Sequence, residues 1–210
     1  PSDDLWRRIG DVIAVRGLLP LVDFAYQGFG DGLAEDARGL RELVRPGAEV
    51  LVASSFSKNF SLYGERVGAL TIVTDSKDES TRVMSQLKRV IRTNYSNPPI
   101  HGGALVAAVL ASPELRQQWE IELAGMRDRI RAMRTGLVDA IKATGCAQDF
   151  SFVAMQRGMF SYTGLTAAQV ERMKDEFGIY AVSTGRICLA ALNTRNLDYV
   201  ADAIATVTKG

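Results

Sequence analysis

In the stretch VLVASSFSKNF, residues 50–60, an apolar run ends in serines, a lysine and phenylalanines. The run VLVA has the character of a buried strand, and ligands of open α/β sheets bind at the carboxyl ends of the strands. Lys58 and the hydroxyls of Ser55 and Ser57 follow directly where this strand is expected to end. An amine among hydroxyls at a sheet edge indicates a binding site.

Two further apolar runs accompany this strand, LLPLVDFAY at 18–26 and RVGALTIVT at 66–74. Both are predicted to be buried strands. Helical spacing of apolar residues is found in three segments around them, at 1–17, 34–47 and 76–94. Strands that are separated by helices predict an α/β fold with a mostly parallel sheet.

The last third of the chain has a different character, after a small-residue helix at 103–110 and a long charged helix predicted from Pro113 to about Thr144. Short strands are predicted in FSFVAM (150–155), MFSYTG (159–164), IYAV (179–182) and ICLAAL (187–192), with helices at 166–178 and 196–209. This pattern predicts a C-terminal α+β unit. We expect a partial large domain at 1–125 and a small domain at 126–210.

Composition narrows the function classes. Lys and Arg number 25 and Asp and Glu 24, so a net charge of +1 gives no reason to expect nucleic acid or a membrane surface as partner. No apolar run approaches the roughly 20 residues that span a bilayer. Cys146 and Cys188 are far apart, which favours reduced thiols in a cytoplasmic protein. His101 is the single histidine, so a multi-histidine metal site is excluded.

The strand ends carry complementary chemical groups. Asp23 closes the first strand, Tyr26 follows it, and Arg66 opens the third. Each has an ordinary reading by itself, and a single lysine such as Lys58 is most often a solvated surface residue. Together they match the needs of pyridoxal phosphate: an amine, an acid for the ring nitrogen, a phenol for the 3-oxygen, and hydroxyls with an arginine for the phosphate.

The segment SSFSKNFSLYGERVG (54–68) resembles the cofactor-lysine motif of class I aminotransferases, in the branch of the aspartate and aromatic amino-acid enzymes. The similarity covers nearly the whole chain, in the family's order and spacing. It continues through DFAYQGFGDGL (23–33), IRTNYSNPPIHGG (91–103), RGMFSYTGL (157–165) and STGRICLAALN (183–193). The resemblance implies a fold of type I among enzymes that depend on pyridoxal phosphate, and transaminase activity.

The resemblance also implies the roles of the cofactor-binding residues. Lys58 would be the Schiff-base lysine and the acid/base that moves the proton between the substrate Cα and C4′ of the cofactor. Asp23 would pair with the pyridinium nitrogen, and Tyr26 would donate to the 3-oxygen. The phosphate would be held or supported by Ser55, Ser57 and Arg66.

Three further residues would bind the substrates, an amino acid and a 2-oxo acid such as 2-oxoglutarate. Arg186 would hold the α-carboxylate, and Phe160 would line the pocket. Arg92 matches the arginine that reaches into the neighbouring subunit of a homodimer and binds a dicarboxylate side chain. Gly64 and Tyr162 are more similar to the bacterial aromatic (tyrosine) aminotransferases, so we expect an aromatic preference.

Members of this family are about twice as long, and the part without a counterpart here is N-terminal. That part supplies most of the phosphate-binding turn, a ring stacked on the cofactor and an asparagine for the 3-oxygen. We therefore expect a C-terminal portion that is inactive alone. Two alternatives stay open: aspartate aminotransferase proper, and the aminotransferase-like effector domain of a transcription regulator. The presence of both Arg92 and Arg186 argues against the regulator.

Overall fold

The computed structural model describes residues 2–209. The chain divides into two compact units, Pro1–Leu123 and Ala124–Gly210, where the sequence led us to expect a boundary between 125 and 126. The assignment of these units to a large and a small domain stays a proposal.

The first unit combines three strands with helices that precede, separate and follow them in the chain. Its strands are β1 (Leu21–Phe24), β2 (Val50–Ser55) and β3 (Gly68–Val73). Its helices are α1 (Asp3–Arg16), α2 (Leu33–Asp36), α3 (Arg38–Leu43), α4 (Lys77–Asn94), α5 (His101–Ala111) and the first part of α6 (Pro113–Ala143). None of the helices within residues 2–209 is both long enough and apolar enough to cross a membrane.

The three strands form one sheet in the order β1-β2-β3. β1 pairs with β2 in parallel, but β3 is antiparallel to β2, with Ser55 opposite Gly68. The sheet expected to be mostly parallel thus contains one parallel and one antiparallel pair, and the expected burial of the third strand was wrong, since Gly68–Thr71 are exposed. The reason is the connection: residues 56–67 form turns without a crossover helix, so the chain returns beside β2 in the opposite direction.

One face of this sheet is covered by α1 and α3. Leu43, Val50 and Val52 are its buried centre, and partly buried side chains of α1 and β1 pack around them. α1 begins at a Ser2 cap, whose side chain accepts from the Leu5 amide. Gly39 of α3 lies so close to the helix that an added Cβ would be 2.3 Å from the Trp6 ring. A small apolar core thus holds the strands in place, and the polar residues lie at the carboxyl ends of β1 and β2.

The second unit is mainly helical with one two-stranded sheet. After α6 its elements are α7 (Ser151–Ala154), β4 (Phe160–Tyr162), α8 (Ala167–Phe177), β5 (Arg186–Cys188), a 3-10 turn (Leu189–Ala191) and α9 (Leu197–Val207). β4 and β5 are antiparallel. Two predicted strands were wrong, since FSFVAM contains the helix α7 and IYAV forms only an isolated bridge at Val182. The predicted helix at 166–178 begins with a complete capping box between Thr166 and Gln169.

Candidate functional site

Lys58 lies in the turn that directly follows β2, half-buried between two aromatic rings. Its Nζ is 5.2 Å from the centroid of the Tyr26 ring and 5.7 Å from that of Tyr63. Both distances are within the range in which a cation is attracted to a ring face. The sequence analysis named Tyr26 but missed Tyr63, although Tyr63 is only five residues from Lys58 in the same turn segment.

Four of the polar residues named from the sequence, Asp23, Ser55, Lys58 and Arg66, lie toward the same end of the three-stranded sheet. β1 and β2 are parallel, so Asp23 and Ser55 lie near adjacent carboxyl ends. β3 begins at Gly68, opposite Ser55, so Arg66 precedes the strand instead of opening it. Because β3 is antiparallel, its start is at the carboxyl end of β2, and this direction brings Arg66 to the same edge.

Hydrogen bonds to nearby residues hold Ser55, Asp23 and Arg66 in place. Ser55 Oγ accepts from the Ser57 amide at 3.2 Å, and Asp23 Oδ1 accepts from the Ala25 amide at 3.2 Å. Arg66 has a φ of 51°, a left-handed conformation that non-glycine residues rarely adopt. Its Nη1 donates to the Tyr63 carbonyl at 2.9 Å. The turn therefore has a defined shape, with a cation at its end.

The glycine-rich loop after Tyr26 is organised by Asp36. The Asp36 carboxylate accepts from the amides of Gly28 at 2.8 Å, Gly30 at 3.0 Å and Asp31 at 2.8 Å. Such charge-assisted bonds are about twice as strong as neutral ones. The role of Asp36 was not predicted from the sequence, because an acid near the start of a helix is common. The preceding glycine-rich segment could have indicated it, since the backbone amides of such a loop need a hydrogen-bond acceptor.

Asn59, the residue after Lys58, links the turn to its surroundings. Its side chain is 5% exposed, and its Nδ2 donates to the Gln27 carbonyl at 3.3 Å. Trp119 Nε1 donates to the Asn59 carbonyl at 2.7 Å, and the Trp119 ring stacks on Phe60 with centroids 4.4 Å apart. Among the described residues, Asn59 Oδ1 has no hydrogen-bond donor. Sequence reasoning missed Asn59, because a buried asparagine has no spacing signature.

Arg92 lies in the last turn of α4 and is exposed. Its Nη1 contacts Ser96 Oγ, and Ser96 has a φ of 65° in the bend that ends the helix. A cation in this turn is also favoured by the helix dipole. The structure therefore shows Arg92 on the surface of the first unit, with a local partner.

Arg186 and Phe160 form a second group, within the second unit. Arg186 begins β5 opposite Tyr162 of β4, and its guanidinium carbon is 5.0 Å from the centroid of the Phe160 ring. Arg186 is exposed while Phe160 is half-buried. The arrangement presents a guanidinium that is backed by an aromatic face, which suits a carboxylate.

Metal ligation was not expected from the sequence. Within residues 2–209, no group of three His, Cys, Asp or Glu side chains is placed to hold a metal ion. The single histidine, His101, begins α5 and has its Nδ1 2.9 Å from Glu65 Oε2.

Comparison with known proteins identifies what the chain is similar to. The family model "Aminotransferase class I and II" matches residues 1–204. An aspartate aminotransferase of Pseudomonas aeruginosa is 62% identical over 97% of this chain and 51% of that protein, and an aromatic-amino-acid aminotransferase of the same organism is 52% identical over 98% and 52%.

Solved structures agree with this relationship. An aromatic-amino-acid aminotransferase from Burkholderia pseudomallei, covalently bound to pyridoxal phosphate, is 66% identical and has a TM-score of 0.97. It covers 100% of this chain, which covers 52% of that structure. The chain thus spans about half the length of the relatives that it matches.

Proposed function

Since the chain belongs to the class I and II aminotransferases, we propose that it supplies the lysine-bearing part of a transaminase that depends on pyridoxal phosphate. The reaction moves an amino group between an aromatic or dicarboxylic amino acid and a 2-oxo acid such as 2-oxoglutarate. The observation that carries this proposal is the position of Lys58 between Tyr26 and Tyr63, at the sheet edge that Asp23, Ser55 and Arg66 share.

The residues of this edge fit pyridoxal phosphate by their chemistry. The cofactor needs an amine for its aldehyde, an acid for its ring nitrogen and a donor for its 3-oxygen. Lys58, Asp23 and Tyr26 provide these three groups from two adjacent strand ends. The phosphate needs hydroxyls and a cation, and these roles are proposed for Ser55, Ser57 and Arg66.

Each residue then has a defined task. Pyridoxal phosphate, when bound, draws electrons from the substrate's Cα and so makes its proton easier to remove. The Asp23 carboxylate holds a proton on the ring nitrogen, which sustains this withdrawal. The Lys58 amine takes the proton from Cα, and general acid–base transfer of this kind contributes roughly 10²–10⁴-fold to a rate. Tyr26 keeps its hydroxyl donated to the 3-oxygen.

Substrate binding is proposed for the second group and for Arg92. Arg186 would pair with the α-carboxylate by two parallel hydrogen bonds, while Phe160 supports its guanidinium and lines the pocket. Arg92 would bind the distal carboxylate of a dicarboxylic substrate in the neighbouring subunit, so we also propose a homodimer. An exposed side chain at a helix end is compatible with contact across subunits.

Relatives carry both names, aspartate and aromatic-amino-acid aminotransferase, at 62% and 52% identity. We propose an aromatic preference, supported by Tyr162, which is 57% exposed on the strand that faces Arg186. A cytoplasmic location is proposed as well, supported by Cys146 and Cys188, which are both unpaired thiols.

The proposal predicts that residues 1–210 alone have little or no activity, because the relatives are twice as long. The test compares the 210-residue chain with the full-length protein, each with added pyridoxal phosphate, for cofactor absorbance and for turnover of tyrosine with 2-oxoglutarate. We expect both signals from the full-length protein alone. Turnover of similar size by the isolated chain would contradict the claim of incompleteness, and none from the full-length protein would contradict the proposed function.

A further inference from the structure

Arg134 is a buried cation in the second unit. It lies on α6 and is 4% exposed, an unusual position for arginine. Burial lowers its pKa, and the neighbouring charge of Arg131 lowers the pKa further. Removing a charge from water costs several kcal/mol. A protein with an apolar residue of similar volume at such a position is often as stable as one with the charged residue, or more stable. An arginine at this site therefore calls for a reason beyond packing.

The guanidinium holds the middle of β4 and the turn that precedes this strand. Its Nε donates to Ser161 Oγ at 3.3 Å, and its Nη2 donates to the Gly158 carbonyl. Ser161 is only 2% exposed, so this bond is shielded from water. The planar, rigid fork of arginine fixes two points three residues apart, which a lysine cannot do with the same geometry.

The alternation of side chains along β4 relates the Arg134–Ser161 contact to the Arg186–Phe160 pair. Successive side chains of a strand point to opposite faces, so Ser161 faces the core while Phe160 and Tyr162 face the other way. Arg186 pairs with Tyr162, and its guanidinium extends diagonally across the sheet to the Phe160 ring at 5.0 Å. Arg134 thus contacts β4 on its core face, and the Arg186–Phe160 pair lies on the opposite face.

We propose that Arg134 is a positioning residue, which fixes β4 so that Phe160 holds the Arg186 guanidinium ready for a substrate carboxylate. This inference rests on the proposed function, because it assigns carboxylate binding to Arg186. Arg134 itself touches neither substrate nor cofactor. Its loss should weaken carboxylate affinity and leave cofactor binding unchanged.

The test uses full-length protein loaded with pyridoxal phosphate and the variants Arg134→Met, Arg134→Lys and Arg131→Met. The last is a matched control, since it removes an exposed arginine from the same helix, one turn away. The probe is 3-phenylpropanoate, a carboxylate without an amino group, and its Kd is read from the cofactor absorbance. We expect Arg134→Met to raise this Kd roughly tenfold, which corresponds to about 1.4 kcal/mol. The lysine variant should recover part of the loss, and Arg131→Met should stay near the wild-type value.

A double-mutant cycle with Arg186→Met separates positioning from general destabilisation. If Arg134 acts through Arg186, Arg134→Met has no further effect on the Kd once Arg186 is absent. An unchanged Kd in Arg134→Met, or the same tenfold loss in the Arg186→Met background, overturns the inference. Should Arg134→Met not fold, Ser161→Ala replaces it with the same criteria, because it removes one of the two acceptors. A wild-type protein that binds no cofactor defeats the proposed function instead.

Discussion

Asn59 Nδ2 donates to the Gln27 carbonyl across 3.3 Å, so the residue after Lys58 is bonded to the residue after Tyr26. The two segments that carry the amine and the phenol are therefore connected by a single buried side chain. Lys58 Nζ lies 5.2 Å from the Tyr26 ring centroid, and we expect the Asn59–Gln27 bond to help maintain this distance.

Replacing Asn59 by alanine should loosen this connection. The change leaves the Gln27 carbonyl without its side-chain donor and opens a small cavity, so we expect the full-length protein to lose about 1–3 kcal/mol of unfolding free energy. Cofactor affinity should fall as well, since Lys58 and Tyr26 are no longer held together. Urea unfolding and cofactor titration measure the two effects.

Trp119→Phe is the companion variant, because it removes the hydrogen bond to the Asn59 carbonyl while a smaller aromatic ring stays against Phe60. We expect it to cost about 0.5–1.5 kcal/mol in unfolding free energy. A larger loss of cofactor affinity in Trp119→Phe than in Asn59→Ala would contradict the role given to the asparagine side chain.

Asp23→Asn should slow turnover while keeping the fold. The amide cannot hold a proton on the ring nitrogen by charge, so we expect kcat to fall by about 10²-fold, the scale of a lost charge-assisted contact at a reacting group. Asp11→Asn, at an exposed carboxylate of α1, is the control. Equal kcat values for wild type and Asp23→Asn would remove Asp23 from the site.

Arg92→Leu should change substrate choice more than the rate with aromatic substrates. Loss of the cation leaves a distal carboxylate unpaired, so kcat/KM for aspartate should fall by about 10²–10³-fold, while that for tyrosine changes little. Arg82→Leu, an exposed arginine on the same helix, serves as control. In the wild type we expect tyrosine or phenylalanine to exceed aspartate in kcat/KM, and a strong aspartate preference would refute the aromatic assignment.

Asp149 gives a prediction about pH. Its carboxylate accepts from the amide and the hydroxyl of Ser151, both at 2.8 Å, and these bonds lower the pKa of Asp149. A carboxylate whose pKa is lower in the folded state stabilises the fold above its unfolded value of about 3.9, and the contribution is lost as pH falls through the folded value. We expect Asp149→Ala to lower Tm at pH 7 and the difference from wild type to shrink in acid.

Much of the fold and the positions of several candidate site residues could be predicted from the sequence, because strand ends and helix caps are local signals; the chemical roles of those residues stay predictions. β1 and β2 follow their apolar runs, and the capping boundary at Thr166 is visible as a motif. The direction of β3 is not local: whether the chain crosses over or turns back depends on how residues 56–67 fold. Arg66 lies at the same end of the sheet as Ser55 because β3 runs antiparallel, whereas a parallel strand would begin at the opposite end. The phosphate-binding role of Arg66 stays a prediction.

The second unit shows the same limit. FSFVAM has the aromatic and β-branched residues of a strand, yet Ser151–Ala154 form a helical turn that buries Val153, and the Ser151 amide donates to Asp149 Oδ1 just before it. Arg134 was also missed, because an arginine on a charged helix looks like a solvated residue until the fold buries it. Burial in the folded chain accounts for both the helical turn at Ser151–Ala154 and the position of Arg134, and local composition does not reveal such burial.

The most direct test of the central claim asks which lysine holds the cofactor. Full-length protein is incubated with pyridoxal phosphate and reduced with borohydride, and the modified peptide is located by mass spectrometry. We expect the label on Lys58. We also expect Lys58→Ala to carry no label and to lose turnover, while Lys88→Ala, at an exposed lysine of α4, behaves like wild type. A label on another lysine, or undiminished turnover in Lys58→Ala, would refute the proposed role of Lys58.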